Sequence, residues 1–455
     1  MRECGILLPV FSLPSKYGIG SFSKEAYDFV DFLVEAKQHY WQILPLVPAG
    51  GWNSPYQSCS TFAGDPCFID LDQLVESGLL YREEIDNLDW QCDPSFIDYD
   101  KVRYNKLCLL KEAFYRFNFN DSDYLRFYNE QKFWLEGYTN YMANKESNDP
   151  LLYKMQQYLF DIQWKKLKQY ANEKGIRIIG DLPIYVSMDS ADVTDNPELF
   201  QIEYGRPKAI AGCPPDDFSK DGQVWGNPLY DWNKHRETGF HWWIQRIKHC
   251  FELYDVVRID HFRALYDYFV IPYGDETAKN GHWEYGPGMD LFNAIKAALG
   301  DVDIIAEDLG YLSPGVHDLL NATGYPGMKI LQFAFGGGED NPYLPENIGT
   351  DNCIIYTGTH DNDTTVGWWN KASNWERIHF RKYSNNSNPC WGMIDLAMST
   401  RAKICIIPIQ DYLELDSWAR INIPGTTGCN WKWRLTYVPN HLAYTIKCVA
   451  EHYNR

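Results

Sequence analysis

Residues 255–260 read DVVRID, an apolar, β-branched run that stops at a carboxylate, Asp260. The pattern returns in VDIIAED (302–308), which carries Glu307, and in CIIYTGTHD (353–361), which reaches Asp361. A strand buried on both faces reads as a continuous apolar run, and an acid at its end marks where the chain emerges at a polar pocket. Five more runs share the buried-strand character: GILLPV (5–10), YWQILPL (40–46), IRIIGDLPIYV (176–186), MKILQFAF (328–335) and KICIIPIQD (403–411). Segments with helical spacing, such as KEAYDFVDFLVEAKQ (24–38) and HWWIQRIKHCFELY (241–254), lie between most of them. Strands alternating with helices imply a parallel sheet, and eight repeats predict an α/β chain closed as a (β/α)8 TIM barrel.

The spacing of the runs is uneven. Between the second and third, residues 51–175 are largely helical, in DKVRYNKLCLLKEAFYRF (100–117), SDYLRFYNEQKFWLEGYTNYMANKE (122–146) and LLYKMQQYLFDIQWKKLKQYANEK (151–174). They predict a helical insertion too large for a simple loop. After the third run, residues 187–240 hold NPELF, GRPKAIAGCPPDDF and GQVWGNPLYDW and read as an irregular insertion. Both follow strand C-termini, the face on which barrel active sites form. The expected organisation is a single catalytic barrel over 1–455 carrying these two insertions.

Composition narrows the partners. Lys and Arg total 42 against 61 Asp and Glu, a formal charge of −19. A nucleic-acid groove needs a basic stripe, and none is visible; anionic membrane surfaces are disfavoured for the same reason. No apolar stretch approaches the roughly 20 residues of a membrane span. The start, MRECGILLPVFSLPSKYG, is broken by Pro9, Pro14 and Gly18 and reads as strand and loop, not as a secretory signal. The 12 Cys are scattered without a CxxC pair, as free thiols in a reducing cytosol would be. A cytoplasmic protein is expected. Aromatics reach 16% of the chain, with 17 Trp and 32 Tyr, and flat aromatic faces suit the C–H faces of sugars.

Three convergent carboxylates suit cleavage of a glycosidic bond, in which one acid attacks the anomeric carbon and a second protonates the departing oxygen. The second must hold its proton near neutral pH, so its pKa must be raised by apolar surroundings or nearby negative charge. A short Asp suits the fixed nucleophile and a longer Glu suits the leaving group. Arg258, two residues before Asp260, shares its strand face and is expected to keep Asp260 ionised. His261 and His360 each flank a carboxylate, where an imidazole can hydrogen-bond a sugar hydroxyl. No close His and carboxylate triad suggests a metal site, and no cofactor is expected.

VVRIDHFR, AEDLG, GTHDNDT and GQVWGNPLYDW together resemble the 4-α-glucanotransferase family, the amylomaltases or disproportionating enzymes of the α-amylase clan. The likeness continues through GILLPVFSLPSKYGIG, YWQILPL, SPYQSCSTFAGDP, GDLPIYV, GYPGMKILQFAF and NWKWRL, and so spans residues 5 to 435. The resemblance implies an enzyme that moves α-1,4-glucan chains between maltooligosaccharides through a covalent glucosyl-enzyme, as a monomer or homodimer. It places Asp260 at the nucleophile position, Glu307 at the acid/base and Asp361 at the acid that stabilises the transition state. Arg258, His261 and His360 match sugar-contacting positions, Asp181 matches an acidic motif that supports the pocket, and Tyr56, Trp225, Asn227 and Asn430 match glucan-lining loops.

Several positions depart from the family pattern. Relatives usually carry Gly after DHFR and Trp in the next aromatic pair; here these are Ala264 and Phe269. TGYGD before SPYQ becomes AGGWN (49–53), which puts Gly51, beside Trp52, where the family has a Tyr implicated in a secondary glucan site. SADVW becomes SADVT, with Thr194 in place of an aromatic. The three carboxylates are intact. An α-1,4-glucan hydrolase on the same scaffold, and a non-catalytic glucan-binding relative, are the alternatives.

Overall fold

The computed structural model describes residues 2–215, 220–310 and 312–455. The DDF end of GRPKAIAGCPPDDF, residues 216–218, lies outside them. Eight strands form one sheet: β1 Glu3–Leu7, β2 Tyr40–Gln42, β3 Arg177–Leu182, β4 Val256–Ile259, β5 Ile304–Ala306, β6 Gly327–Ile330, β7 Cys353–Tyr356 and β8 Ile404–Pro408. They pair in the order β5, β4, β3, β2, β1, β8, β7, β6, each hydrogen-bonded pair parallel. At the remaining seam the Ala306 N–H donates to the Pro326 carbonyl at 2.9 Å and the Met328 N–H donates to Asp308 Oδ1 at 2.6 Å. The sheet is a nearly closed barrel, and each strand lies within or overlaps its predicted run. Most strands end before the run does; β7 stops at Tyr356, so Asp361 is reached through a turn rather than at the strand's last residue.

Period-two alternation sorts each strand into two cores. Leu7, Tyr40, Ile179, Val256, Ile305, Met328, Ile330, Ile354, Tyr356, Ile404 and Ile406 pack as one cluster inside the barrel. Their neighbours Ile6, Trp41, Ile178, Val257, Ile304, Ile355, Cys405 and Ile407 belong to the outer core under the helices. Burial on both faces is why the strands read as unbroken apolar runs.

The four long helices ahead of β3 are α1 Lys24–Glu35, α2 Tyr99–Arg116, α3 Ser122–Glu146 and α4 Pro150–Glu173. Helix α4 falls within 51–175 but packs against β3, α1 and helix His241–Leu253, with the Trp164 indole N–H on the Leu253 carbonyl at 2.9 Å. It is the crossover helix that a parallel β2 to β3 connection requires. The insertion proper lies ahead of it. Its helix α2 reaches back to the strand-end loops: Arg103 donates to Asn53 Oδ1 at 2.8 Å and to the Ala49 carbonyl at 3.1 Å, and the Tyr99 hydroxyl donates to the Trp431 carbonyl at 2.7 Å.

The stretch 187–240, read as irregular, contains regular structure. Ala209–Cys213 and Gln223–Pro228 join Asp267–Pro272 and His282–Tyr285 in a four-stranded antiparallel sheet. The strands are short, the register shifts between Ile210 and Gly212, and two of the four come from the loop after β4. No periodic signal within 187–240 alone contains that partnership.

Gly5 stands where β1 crowds its neighbours inside the barrel: a Cβ there would meet the Tyr40 carbonyl oxygen at 2.5 Å, Tyr40 Cβ at 2.6 Å and Ile406 Cδ1 at 2.9 Å. Overpacking of this kind costs about 1–3 kcal/mol. Gly5→Ala is expected to lower the thermal midpoint with no change at the site; an unaltered melt would show that the strands part freely.

Candidate active site

The site continues the barrel's inner stripe upward. Ile179 is followed two residues on by Asp181, Val256 by Arg258 and then by Asp260, and Ile305 by Glu307, so alternation aims all four polar side chains at the C-terminal mouth. Asp181 and Arg258 are direct register partners on β3 and β4. Arg258 Nη1 donates to Asp181 Oδ1 at 2.8 Å and to Oδ2 at 2.6 Å, and stands 3.0 Å from Asp260 Oδ1. Asp181 and Arg258 are buried, whereas the Asp260 side chain keeps 26% of its surface open.

Beyond β4 the chain turns sharply. The Asp260 N–H donates to the Leu182 carbonyl at 3.0 Å, and His261 adopts φ 48° and ψ 49°. A left-handed conformation costs a side-chain-bearing residue on the order of 1 kcal/mol. The turn aims the His261 N–H at Glu307 Oε2, 2.7 Å away, while the Leu309 N–H meets Oε1 at 2.9 Å. Both Glu307 oxygens are therefore oriented by backbone donors.

Burial raises the Glu307 carboxyl above its ordinary 4.5, with Arg258 and the two N–H groups opposing and Asp308 adding. Asp260 is raised well above 3.8 by burial first; Arg258 opposes, and Asp181, Glu307 and Asp361 add to the rise. This corrects the expectation that Arg258 keeps Asp260 ionised. Its guanidinium is already held by Asp181, and burial, with the surrounding acids adding, outweighs what it offers Asp260. The two carboxyls titrate as a pair, and Arg258, which touches only Asp260 of the two, biases the charge toward that member.

Opposite them, the turn after β7 carries His360 and Asp361. Asn422 Nδ2 donates to Asp361 Oδ1 at 2.6 Å, His360 Nε2 lies 3.5 Å from Asp361 Oδ2, and Arg420 donates to the Asp361 carbonyl. Tyr56 closes the ring: its hydroxyl lies 2.7 Å from Asp181 Oδ2 and 3.0 Å from His360 Nε2, and its ring stacks on His360 with centroids 5.5 Å apart. Burial lowers the pKa of His360, and lowers that of His261 to about 4 with help from Arg263. Both imidazoles are neutral at neutral pH.

The remaining expected residues differ in what they touch. Trp225 sets its indole edge-on to His261, centroids 5.0 Å apart. Asn227 is buried and ties loops together, donating to the Val186 carbonyl at 2.8 Å and accepting from Gln57 at 3.3 Å. Asn430 folds its amide into its own loop, accepting from the Ile423 N–H at 3.0 Å and donating to the Thr426 carbonyl at 3.0 Å. The residues of that loop that reach the site are Asn422 and Trp431, whose ring centroid lies 5.6 Å from Tyr56 and 6.0 Å from His360. Sequence reasoning missed both, and Trp431 directly follows the Asn430 it singled out. Among the described residues, no group of three or more His, Cys, Asp or Glu side chains is arranged to hold a metal ion.

A family model described as 4-alpha-glucanotransferase matches residues 8–151 and 143–440. A 4-alpha-glucanotransferase of Clostridium butyricum is 43% identical over 98% of this chain and 99% of its own length. One of Streptococcus pneumoniae is 44% identical over 96% and 93%. Among solved structures, the amylomaltase from Streptococcus agalactiae in complex with acarbose superposes with a TM-score of 0.96 at 38% identity, over 100% of both chains.

The raised Glu307 carboxyl has a consequence for stability. When the folded-state pKa lies above the unfolded value, the folded state binds more protons between the two, so stability falls as pH rises through that window. Glu307→Gln removes this titration. Thermal melts from pH 5 to 8 are expected to show the wild type losing stability relative to Glu307→Gln as pH increases. Parallel curves would mean that the carboxyl titrates as it does in the unfolded chain.

Proposed function

The chain belongs to the 4-alpha-glucanotransferase family, and from that premise we propose how its carboxylates divide the transfer of α-1,4-glucan segments to the 4-hydroxyl of glucose or another glucan. The observation that carries the division is the unequal setting of Asp260 and Glu307: Asp260 lies 3.0 Å from the Arg258 guanidinium, whereas the direct partners of Glu307 are two backbone N–H groups. With one proton between them, Asp260 is the ionised partner and Glu307 the acid.

An Asp260 oxygen attacks the anomeric carbon as the glycosidic C–O bond breaks, and Glu307 gives its proton to the departing oxygen. For that step one Glu307 oxygen exchanges its backbone N–H for the glycosidic oxygen. The 4-hydroxyl of the acceptor then attacks the same carbon and returns its proton to Glu307, and Asp260 leaves as a carboxylate, with net retention. Asp361, held by Asn422, accepts hydrogen bonds from ring hydroxyls as positive charge develops. The neutral His261 and His360 offer further hydrogen bonds to the sugar, and Tyr56, Trp225 and Trp431 supply aromatic faces. Arg258 and Asp181 brace the nucleophile, and Asn227 and Asn430 brace the loops. The acarbose complex of the Streptococcus agalactiae amylomaltase supports an oligosaccharide ligand here. Maltooligosaccharides and α-1,4-glucans serve as donor and acceptor. The scattered cysteines, with no CxxC pair, support a cytoplasmic setting, and the enzyme acts as a monomer or homodimer.

Incubation with maltotriose alone is expected to give glucose and longer maltooligosaccharides with no net gain of reducing ends. Glucose and maltose accumulating with a matching rise in reducing ends would make the enzyme a hydrolase. Asp260→Asn should cut kcat by at least about a thousandfold while the melt stays cooperative; near-normal turnover would remove Asp260 from the nucleophile's role.

A further inference from the structure

Behind the catalytic face, a small cavity with room for about one water separates the turn after β7 from the end of β8, with Leu7, Thr359, His360, Asn362, Gln410 and Arg420 among its walls. His360 and Gln410 are each more than nine-tenths buried. Both line this space, and one polar atom of each, His360 Nδ1 and Gln410 Oε1, has no hydrogen-bond partner among the described residues.

Local bonding fixes the character of both atoms. Tyr56 has one hydroxyl proton, and the Asp181 carboxylate, itself paired with Arg258, accepts it at 2.7 Å. Toward His360 Nε2, 3.0 Å away, the Tyr56 oxygen can only accept, so Nε2 carries the hydrogen. Asp361 Oδ2, 3.5 Å from the same nitrogen, is a second acceptor on that side. In a neutral imidazole with its proton on Nε2, Nδ1 is a bare acceptor. Gln410 Nε2 donates to the Ala419 carbonyl at 3.2 Å. Turning that amide round would set two carbonyl oxygens against each other, so Oε1 is the unpartnered end of a side chain that lines the cavity. Two buried acceptors on one polar cavity require a small molecule with two hydrogens to donate, and an unpaired buried acceptor costs about 1–3 kcal/mol. Water meets the requirement, and buried waters characteristically bridge such groups.

We propose that a water molecule in this cavity donates to His360 Nδ1 and to Gln410 Oε1, making Gln410 a positioning residue that holds His360 in the tautomer with its N–H on Nε2, facing the sugar. The benefit to catalysis rests on the transfer function proposed above; the tautomer does not. Gln410 touches no substrate. It acts through the water on His360, and through His360 on the hydrogen bond offered beside Asp361.

Nitrogen-15 spectra of the histidine-labelled full chain, with the His360 signals assigned through His360→Gln, read the tautomer directly. The expected result is a protonated Nε2 and a hydrogen-bonded, unprotonated Nδ1. Gln410→Leu removes the water's second acceptor and should let the ring sample the other tautomer, with kcat/KM on maltotriose falling about tenfold, the size of one hydrogen bond. Gln410→Glu, kept protonated by burial, gives its hydrogen to the Ala419 carbonyl and keeps an acceptor for the water, and should retain the wild-type ring signals and most of the activity. A wild-type proton on Nδ1 overturns the proposal without any variant being needed. Unchanged ring signals in Gln410→Leu, or equal losses in the Leu and Glu variants, also overturn it. If maltotriose is only hydrolysed while the tautomer is as stated, the transfer reading has failed and this one has not.

Discussion

A single buried guanidinium organises the catalytic mouth. Arg258 lies opposite Asp181 across the β3 and β4 ladder, and the pair is closed to solvent. Removing one member of a buried ion pair strands the other, at about 3–5 kcal/mol. The pair therefore constrains everything that touches it. Asp181 accepts the Tyr56 hydroxyl, Tyr56 meets His360, and His360 adjoins Asp361. From one ion pair, a chain of directional contacts runs from β3 round to β7 and sets both walls of the pocket.

The same guanidinium explains the electrostatics of the reacting acids. One cation faces Asp181, Asp260, Glu307 and Asp361, and burial adds to the cost of ionising each of the central two. Both causes favour the protonated form, in the direction a retaining mechanism needs on its acid. Arg258 does not ionise the whole cluster. It acts on both members of the central pair but touches only Asp260, and this contact is what favours Asp260 as the charged member in the proposed mechanism.

Legibility in the sequence followed the range of the interactions. Asp181, Arg258, Asp260 and Glu307 were readable because strand alternation is local: once Val256 faces the barrel interior, Arg258 and Asp260 do too. Asp361 was readable only as the end of an apolar run, for β7 stops at Tyr356 and a turn covers the distance. The loops were legible by family resemblance and not by pattern. Nothing local says that Asn430 folds its amide inward while Asn422 reaches Asp361, since both outcomes depend on how residues 420–431 close on themselves. Helix α4 has the same helical spacing as α2 and α3, and only its packing against β3, α1 and helix His241–Leu253 marks it as a barrel element.

This distribution separates the elements that do the chemistry from those that shape its surroundings. The carboxylates belong to strand ends whose register is held by the barrel. The loop at 49–53 and the segment at Trp431 are instead gripped by helix α2, through Arg103 and Tyr99. That helix contributes no carboxylate to the mouth, yet it fixes the backbone on both sides of Tyr56. The main departure from the family pattern lies here: at Gly51 and Trp52, the latter held at φ 58° with 70% of its surface exposed. Neither residue bonds to the network around Arg258, so the change alters the rim a glucan meets first and leaves the ion pair and the two reacting acids as they are. Selection for a different acceptor can therefore act on α2 and its loops without passing through the barrel's own register.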